Sequence, residues 1–508
     1  MKQMKLQNFN KVEKLSKHWR IAGIAPFLII CNWFIFSNIA LAQSSDPLVS
    51  IVSLEDLSAF KNAPKNWHVA GDIYYDLNTE KTTKEEKGRG ILINHSKGSD
   101  NDDLLTNFEH GDIDLEFDFM LPKGSTADVY LQSRYGIRLN DSWSDAGSMA
   151  QASGAIYLPN KGNKQLAQVI PPRMNICKAP GLWQNLNVSF QAPKFDNTGK
   201  KVSNAKFNKV VYNGVLIHAN IEMQGVNAER LPGDETRLAP LMFSGNSDIA
   251  LRNIRYKIFV DDPGISRPLL HAASSLSHPP SDRPIIIEPE KRTIVQRCFM
   301  QDGEKKSTFC VAVGEPGQIH YAMDLSQGAI INLWKGEFLD ATTMWTGRGA
   351  EQLARPLGSK IELSSQPTIA VLQNKDETWP SSMQKANNYQ FKGYHLDEHG
   401  RPTFKYSING VSIEDKVTPQ NNDQYLTRTL RMNGGNDTRN LWFRLAKGRQ
   451  IELLPDGSYG IDDKSYYIKV NANKKEKPLI RKVKDGEELL IPVILTGEQA
   501  QLEYSIIW

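Results

Sequence analysis

The sequence predicts an all-β chain: a sandwich or jelly roll, followed by a second β-rich domain. Three observations carry that reading. Runs of residues alternate between apolar and polar over strand-like distances, which puts alternate side chains on opposite faces of a sheet. Turn residues recur at short intervals between the runs. No amphipathic helix longer than a few turns is evident after Ser45. At 508 residues the chain is too long for one ordinary domain. The stretch Asp261–Pro284, rich in Pro, Ser and Asp, reads as an interdomain linker.

The first element reads as an export signal. A cationic segment precedes the apolar stretch Ile21–Leu41, and Ala40-Leu41-Ala42 supplies small residues at a cleavage site. Residues 1–42 are therefore expected to be a signal peptide, giving a periplasmic or extracellular mature protein. An uncleaved anchor is the rival, weakened by Pro26, Asn32 and Asn38; no later segment is apolar enough to cross a bilayer. Lys2, Lys5, Lys11, Lys14, Lys17 and Arg20 stand against Glu13 there, which exceeds the whole chain's net charge of +4. The remainder is slightly acidic, which removes the main support for a nucleic-acid partner.

The first block, residues 43–262, offers strand runs at Gly111–Leu121, Val129–Leu139, Leu182–Ala192, Ala205–Asn220 and Ala250–Val260. Asn213-Gly214 suits a type I′ hairpin turn. Gly88-Arg89-Gly90 reads as a turn before the strand Ile91–Ser96. After the linker, 263–284, the second block spans 285–508, and its last run ends on Trp508, so that strand is expected to dock in the fold. Cys298 and Cys310 flank a hairpin turning at Asp302-Gly303; export permits a disulfide if they face each other. Two separate buried thiols is the alternative, and Cys177 reads as a small buried residue. No Cys-x-x-Cys occurs.

The chemistry-bearing residues concentrate between Val129 and Trp143. Arg134, Arg138 and Asp141 share that run with Tyr130, Tyr135 and Trp143. Charge, hydrogen bonds and flat rings on an open sheet face suit a polyhydroxylated ligand such as a sugar. Asp112, Asp114, Glu116 and Asp118 alternate along one face, which reads as the solvated side of an outer strand. His110 is a plausible base near neutral pH. There is no HxH, no HExxH and no second close His, so no transition-metal site is signalled. A divalent cation held by carboxylates and backbone carbonyls would leave little trace. No Gly-x-Ser-x-Gly, phosphate loop or dinucleotide fingerprint is present, so no other cofactor is indicated.

A series of segments then resembles one known family. HGDIDLEFDFMLPKGSTADVYLQSRYGIRLNDSW, Ser153–Tyr157, Ala179–Lys201, Tyr212–Glu222 and Leu251–Tyr256 follow the order and spacing of the 3-keto-disaccharide hydrolase domain. The resemblance implies a concanavalin-like jelly roll over about residues 50–260 of an exported bacterial protein, and action on 3-keto glycosides or a carbohydrate-binding role descended from it. A C3 ketone acidifies the C2 proton, so a base can remove it and expel the anomeric substituent; water then adds back. Such a path needs a base and an enolate stabiliser. The candidates are Asp141 or His110 as base and Arg138 as stabiliser, with Arg134, Tyr135, Trp143 and Tyr157 on the sugar. The family's usual Glu in this strand is replaced by Gly136, which leaves open a relocated base, a non-catalytic binding module, or a structural partner within a periplasmic complex.

Overall fold

The structure is a computed structural model describing residues 49–80, 83–96, 102–144, 148–159, 168–226, 234–259, 284–346, 352–383, 388–434, 440–471 and 477–508. The expected signal peptide, and the linker up to residue 283, lie outside these residues. Among them helix is confined to short turns such as Thr342–Trp345, and no helix is long and apolar enough to cross a membrane.

Two antiparallel sheets make the first block. One orders Val215–Met223, Ala205–Tyr212, Gln184–Gln191, Asp112–Met120, Ile249–Phe259, Thr83–Asn94 and Trp67–Tyr75, with Ser50–Ile51 also on Ile249–Phe259. The other orders Val169–Ile170, Ile156–Tyr157, Tyr135–Asn140, Thr126–Leu131, Ala239–Phe243, Leu104–His110 and Phe60–Lys61. Alternation sends Ile113, Leu115, Phe117 and Phe119 from the first sheet against Ala127, Val129, Leu131, Ile137 and Leu139 from the second. Full burial of such aliphatic and aromatic side chains contributes ~1.5–3 kcal/mol each, which holds the sandwich closed.

Three local expectations need correction. The run from Val129 is not one strand: Thr126–Leu131 and Tyr135–Asn140 form a hairpin in register, Asp128 opposite Arg138 and Tyr130 opposite Gly136. Gln132 and Ser133 turn it at φ 49° and 54°, a left-handed backbone that neither residue favours. Tertiary bonds hold it: Gln132 N–H donates to His110 Nε2 at 2.9 Å and Ser133 Oγ donates to the Pro240 carbonyl at 2.8 Å. Second, Gly88-Arg89-Gly90 is no turn but part of the strand Thr83–Asn94. A Cβ on Gly88 would stand 2.6 Å from the Gly71 Cα, so a sharp bend of this hairpin brings the two backbones together. Third, the acidic row lies on a central strand rather than an outer one. Glu116 and Asp114 pair across the ladder with Arg255 and Lys257, and Arg252 Nε reaches Asp118 at 3.4 Å. Opposite charge across the strands offsets the mutual repulsion of the acidic row there.

The Asn213-Gly214 turn forms as read, joining Ala205–Tyr212 to Val215–Met223. In the second block Gln499–Ile507 docks between Tyr425–Asn433 and Tyr466–Val470 within an eight-stranded sheet. Cys298 and Cys310 do face each other across their hairpin. They are free, buried thiols, and Cys310 Sγ turns along its own strand to Ser307 Oγ at 2.9 Å. The two blocks share one compact unit over residues 48–508. Tyr74, Leu77, Ala179 and Leu182 of the first enter the core of the second, Lys464 Nζ bonds Asp72 at 2.9 Å, and the Trp143 indole donates to the Trp508 carbonyl at 2.8 Å.

Two histidines set an acid limit on this fold. His110 and His320 are fully buried and each has both ring nitrogens hydrogen-bonded to main chain. Burial pushes both imidazoles down to about 4. Above the usual value of 6.5 neither folded nor unfolded chain protonates them; below it only the unfolded chain does, until pH reaches about 4. Stability is thus present above pH 6.5 and lost on acidification, by ~3 kcal/mol per histidine. Urea midpoints should fall between pH 7 and 4.5, and His320→Gln should flatten that fall. An unchanged slope would clear the histidine of this role.

Candidate functional site

Because Ala127, Val129, Tyr135, Ile137 and Ile156 point into the sandwich, Asp128, Tyr130, Gly136, Arg138 and Tyr157 stand on the outer face of the seven-stranded sheet. There they form a connected row. Arg138 Nε donates to the Tyr157 hydroxyl at 3.2 Å, and that hydroxyl donates to Asp128 Oδ1 at 2.7 Å. The Tyr130 hydroxyl donates to Asp128 Oδ2 at 3.4 Å, and the Asp128 amide is held by Ser244 Oγ at 2.8 Å. Arg138 Nη1 is fixed by the Ala150 carbonyl and Gln151 Oε1, each at 3.0 Å, and its guanidinium lies 5.1 Å from the Tyr157 ring centroid. Asp128 is buried, whereas Arg138 and Tyr157 are half-buried, so the outer members of the row are those a ligand meets first.

Gly136 is what lets the row assemble. The Tyr130 and Tyr157 rings stack at 6.1 Å with planes 9° apart, over the strand position that carries no side chain. A Cβ on Gly136 would come within 2.4 Å of Tyr130 Cε1 and 2.8 Å of Tyr157 Cδ2. Gly136→Ala is therefore expected to cost ~1–3 kcal/mol by overpacking and to disturb the tyrosine signal in near-ultraviolet circular dichroism. A wild-type melting curve and spectrum would show that the rings are not clamped there.

Burial raises the Tyr157 hydroxyl above its usual range, and the Asp128 charge raises it further; the Arg138 bond opposes. The phenol accordingly stays protonated at neutral pH and can act only by passing its proton on to Asp128 as it takes another. Asp128 is the member of this row that the sequence reading did not single out. Its signal was the alternation with Tyr130, legible only once the hairpin register is known.

The other expected site residues are dispersed. His110 is in the core with Nε2 accepting from Gln132 and Nδ1 on the Gly111 carbonyl, so neither nitrogen has a lone pair free for proton abstraction. Arg134 is buried at the far end of the hairpin, and Tyr135 points inward to Glu235 Oε1 at 2.6 Å. Asp141 and Trp143 follow the strand. Asp141 Oδ2 accepts from Gly124 N–H at 2.9 Å, and both residues line a cavity of about 390 Å³ shared with Asn421, Tyr425 and Lys469 of the second block. Only Arg138 and Tyr157 of the expected set share the outer sheet face.

Residues 54–257 match the model of the 3-keto-alpha-glucoside-1,2-lyase-like domain. No curated protein gives a significant match to the chain. Similar solved structures include a candidate glycosyl hydrolase from Parabacteroides distasonis, 18% identical, with 42% of this chain and 84% of that chain covered at a TM-score of 0.31. A carbohydrate-binding module from Bacillus subtilis is 11% identical over 38% of this chain and 95% of its own, at 0.20. The binding domain of botulinum neurotoxin serotype G is 10% identical over 88% and 94%, at 0.24. The segment from residue 54 to 257 is a domain of the 3-keto-alpha-glucoside-1,2-lyase-like family.

Proposed function

We propose that the exported chain cleaves 3-keto glycosides on the outer face of the seven-stranded sheet, by elimination followed by hydration. The observation that carries this reading is the row Arg138–Tyr157–Asp128 beside Gly136. Tyr157 takes the C2 proton of the sugar while delivering its own proton to Asp128. The C2–H electron pair forms the enolate with the C3 carbonyl, where the Arg138 guanidinium offsets the developing charge. The enolate then expels the C1 substituent, which takes the proton held by Tyr157 and leaves as the alcohol while Asp128 reprotonates Tyr157; a C1=C2 double bond conjugated to the ketone remains. Water adds its hydroxyl to C1 and its proton to C2, so the sum is hydrolysis. The half-buried Tyr157 ring, backed by the buried Tyr130 ring, supplies the flat apolar surface that a pyranose covers. Asp128 stands in for the carboxylate that Gly136 removes from the neighbouring strand.

The family match supports the substrate class. A non-catalytic sugar-binding role is the second reading, favoured by the burial of Asp128. Aglycone release from a nitrophenyl 3-keto-glucoside, with binding measured in parallel by calorimetry, separates the two. Turnover that falls in Tyr157→Phe and Arg138→Gln supports the lyase reading. Sugar binding without turnover in the wild-type chain overturns it in favour of the binding module.

A further inference from the structure

The bend at Gly71 and Gly88 folds the hairpin Trp67–Tyr75/Thr83–Asn94 back on itself, and it brings together residues far apart in sequence. Trp67 points into the sandwich core, so its neighbour His68 stands on the opposite, outer face of the eight-stranded sheet. Glu85 bridges two imidazoles there: its Oε2 is 2.8 Å from His68 Nε2, and its Oε1 is bonded to His95 Nε2. One nitrogen or oxygen from each of His68, Glu85 and His95 lies within 4.8 Å of the others. Behind them Asp248 Oδ2 is 3.6 Å from His95 Nδ1, and Asp248 Oδ1 accepts from the Ser96 amide at 2.7 Å. That is the outer-shell carboxylate which orients a ligating imidazole.

A second observation points to the same place. Tyr75 is 1% exposed, and its hydroxyl has no hydrogen-bond partner. Tyr75 lies two positions along the ladder from the Ile73–Glu85 pair and so on the same face of the hairpin as Glu85, and the charges of Asp248 and Glu85 reach its hydroxyl. Two imidazoles, a carboxylate between them and a nearby hydroxyl are a donor set suited to a borderline divalent ion with an open position for water.

We propose that His68, Glu85 and His95 bind one zinc-class divalent cation, with Asp248 orienting His95 and Tyr75 donating to a water on the metal. The ion clips the folded-back end of the hairpin to its base, over the small apolar cluster of Ile73, Tyr75, Ile91, Ile93, Met120 and Trp183. This site is on the opposite sheet from the Arg138–Tyr157–Asp128 row, so it does not depend on the proposed activity.

The test is zinc binding by the chelator-stripped full chain, read by equilibrium dialysis with elemental analysis and by melting temperature. The expected result is one zinc per chain, a zinc-dependent rise in Tm of a few degrees, and loss of stoichiometric zinc in His68→Gln/His95→Gln. Asp248→Asn should weaken binding by ~10- to 100-fold without abolishing it. Cobalt substitution in the wild-type chain, which needs no variant to fold, should give visible bands of nitrogen–oxygen coordination. A wild-type chain that binds no zinc stoichiometrically, or a double variant that still does, overturns the proposal and leaves a metal-free ion-pair cluster.

Discussion

Asp128→Asn is expected to lower turnover of a 3-keto glycoside by ~100- to 10,000-fold, the range over which positioned acid–base groups act. Asparagine keeps an acceptor for the Tyr157 hydroxyl, donates its amide N–H to the Tyr130 hydroxyl oxygen, and fits the same volume, so the melting temperature should barely change. What it removes is the ability to accept a proton from Tyr157. The raised hydroxyl of Tyr157 makes that acceptor indispensable, because the phenol cannot act alone as a base at neutral pH. Tyr157→Phe should cost a comparable factor and the double variant little more, since the two act as one relay. Additive losses would contradict the relay and place the two groups in separate steps.

The largest effect on stability is expected in the second block. Arg428 and Asp415 are both fully buried and form a two-point pair, Nε to Oδ1 at 2.9 Å and Nη2 to Oδ2 at 2.5 Å. The Gly328 carbonyl accepts from Arg428 at 2.7 Å, Tyr504 contributes its hydroxyl at 3.3 Å, and Tyr406 donates to Asp415 at 3.0 Å. Asp415→Ala leaves a guanidinium in the core with no counter-charge and should cost ~3–5 kcal/mol. Removing both charges together, as Asp415→Leu/Arg428→Met, should cost much less, because desolvation of the pair offsets most of its attraction. Chemical denaturation of the three proteins checks this. A double variant as unstable as Asp415→Ala would show that the loss comes from packing rather than from the stranded charge.

How much of this was legible in the sequence depends on how local the cause is. Alternation in Asp112–Met120 and Gln184–Gln191 gave the strands, and Asn213-Gly214 gave its hairpin, because each signal sits within the element it specifies. The turn at Gln132-Ser133 was not legible. It uses residues that do not favour a left-handed backbone, and that backbone is held by His110 and Pro240, which arrive from other strands. Missing that turn hid the pairing of Asp128 with Arg138, and so hid the carboxylate of the site. Asp141 and Trp143 looked like sheet-face residues for the same reason. They are instead committed to Gly124 and to the carbonyl of Trp508, a contact no local pattern encodes. His68, Glu85 and His95 fit no ligand spacing because a backbone bend, rather than helical or strand periodicity, gathers them.

Abstraction of a C2 proton at this sheet face leaves a mark that solvent isotope reads. The chain is given a 3-keto glucoside in D₂O, and the released 3-keto sugar is examined by mass and proton spectra before uncatalysed exchange sets in. Elimination and hydration through Tyr157 and Asp128 require one deuterium at C2 of the product from the wild-type chain, and product formation that collapses in Asp128→Asn. Product that keeps its C2 hydrogen, or is formed as fast by Asp128→Asn, would rule out proton abstraction through this relay.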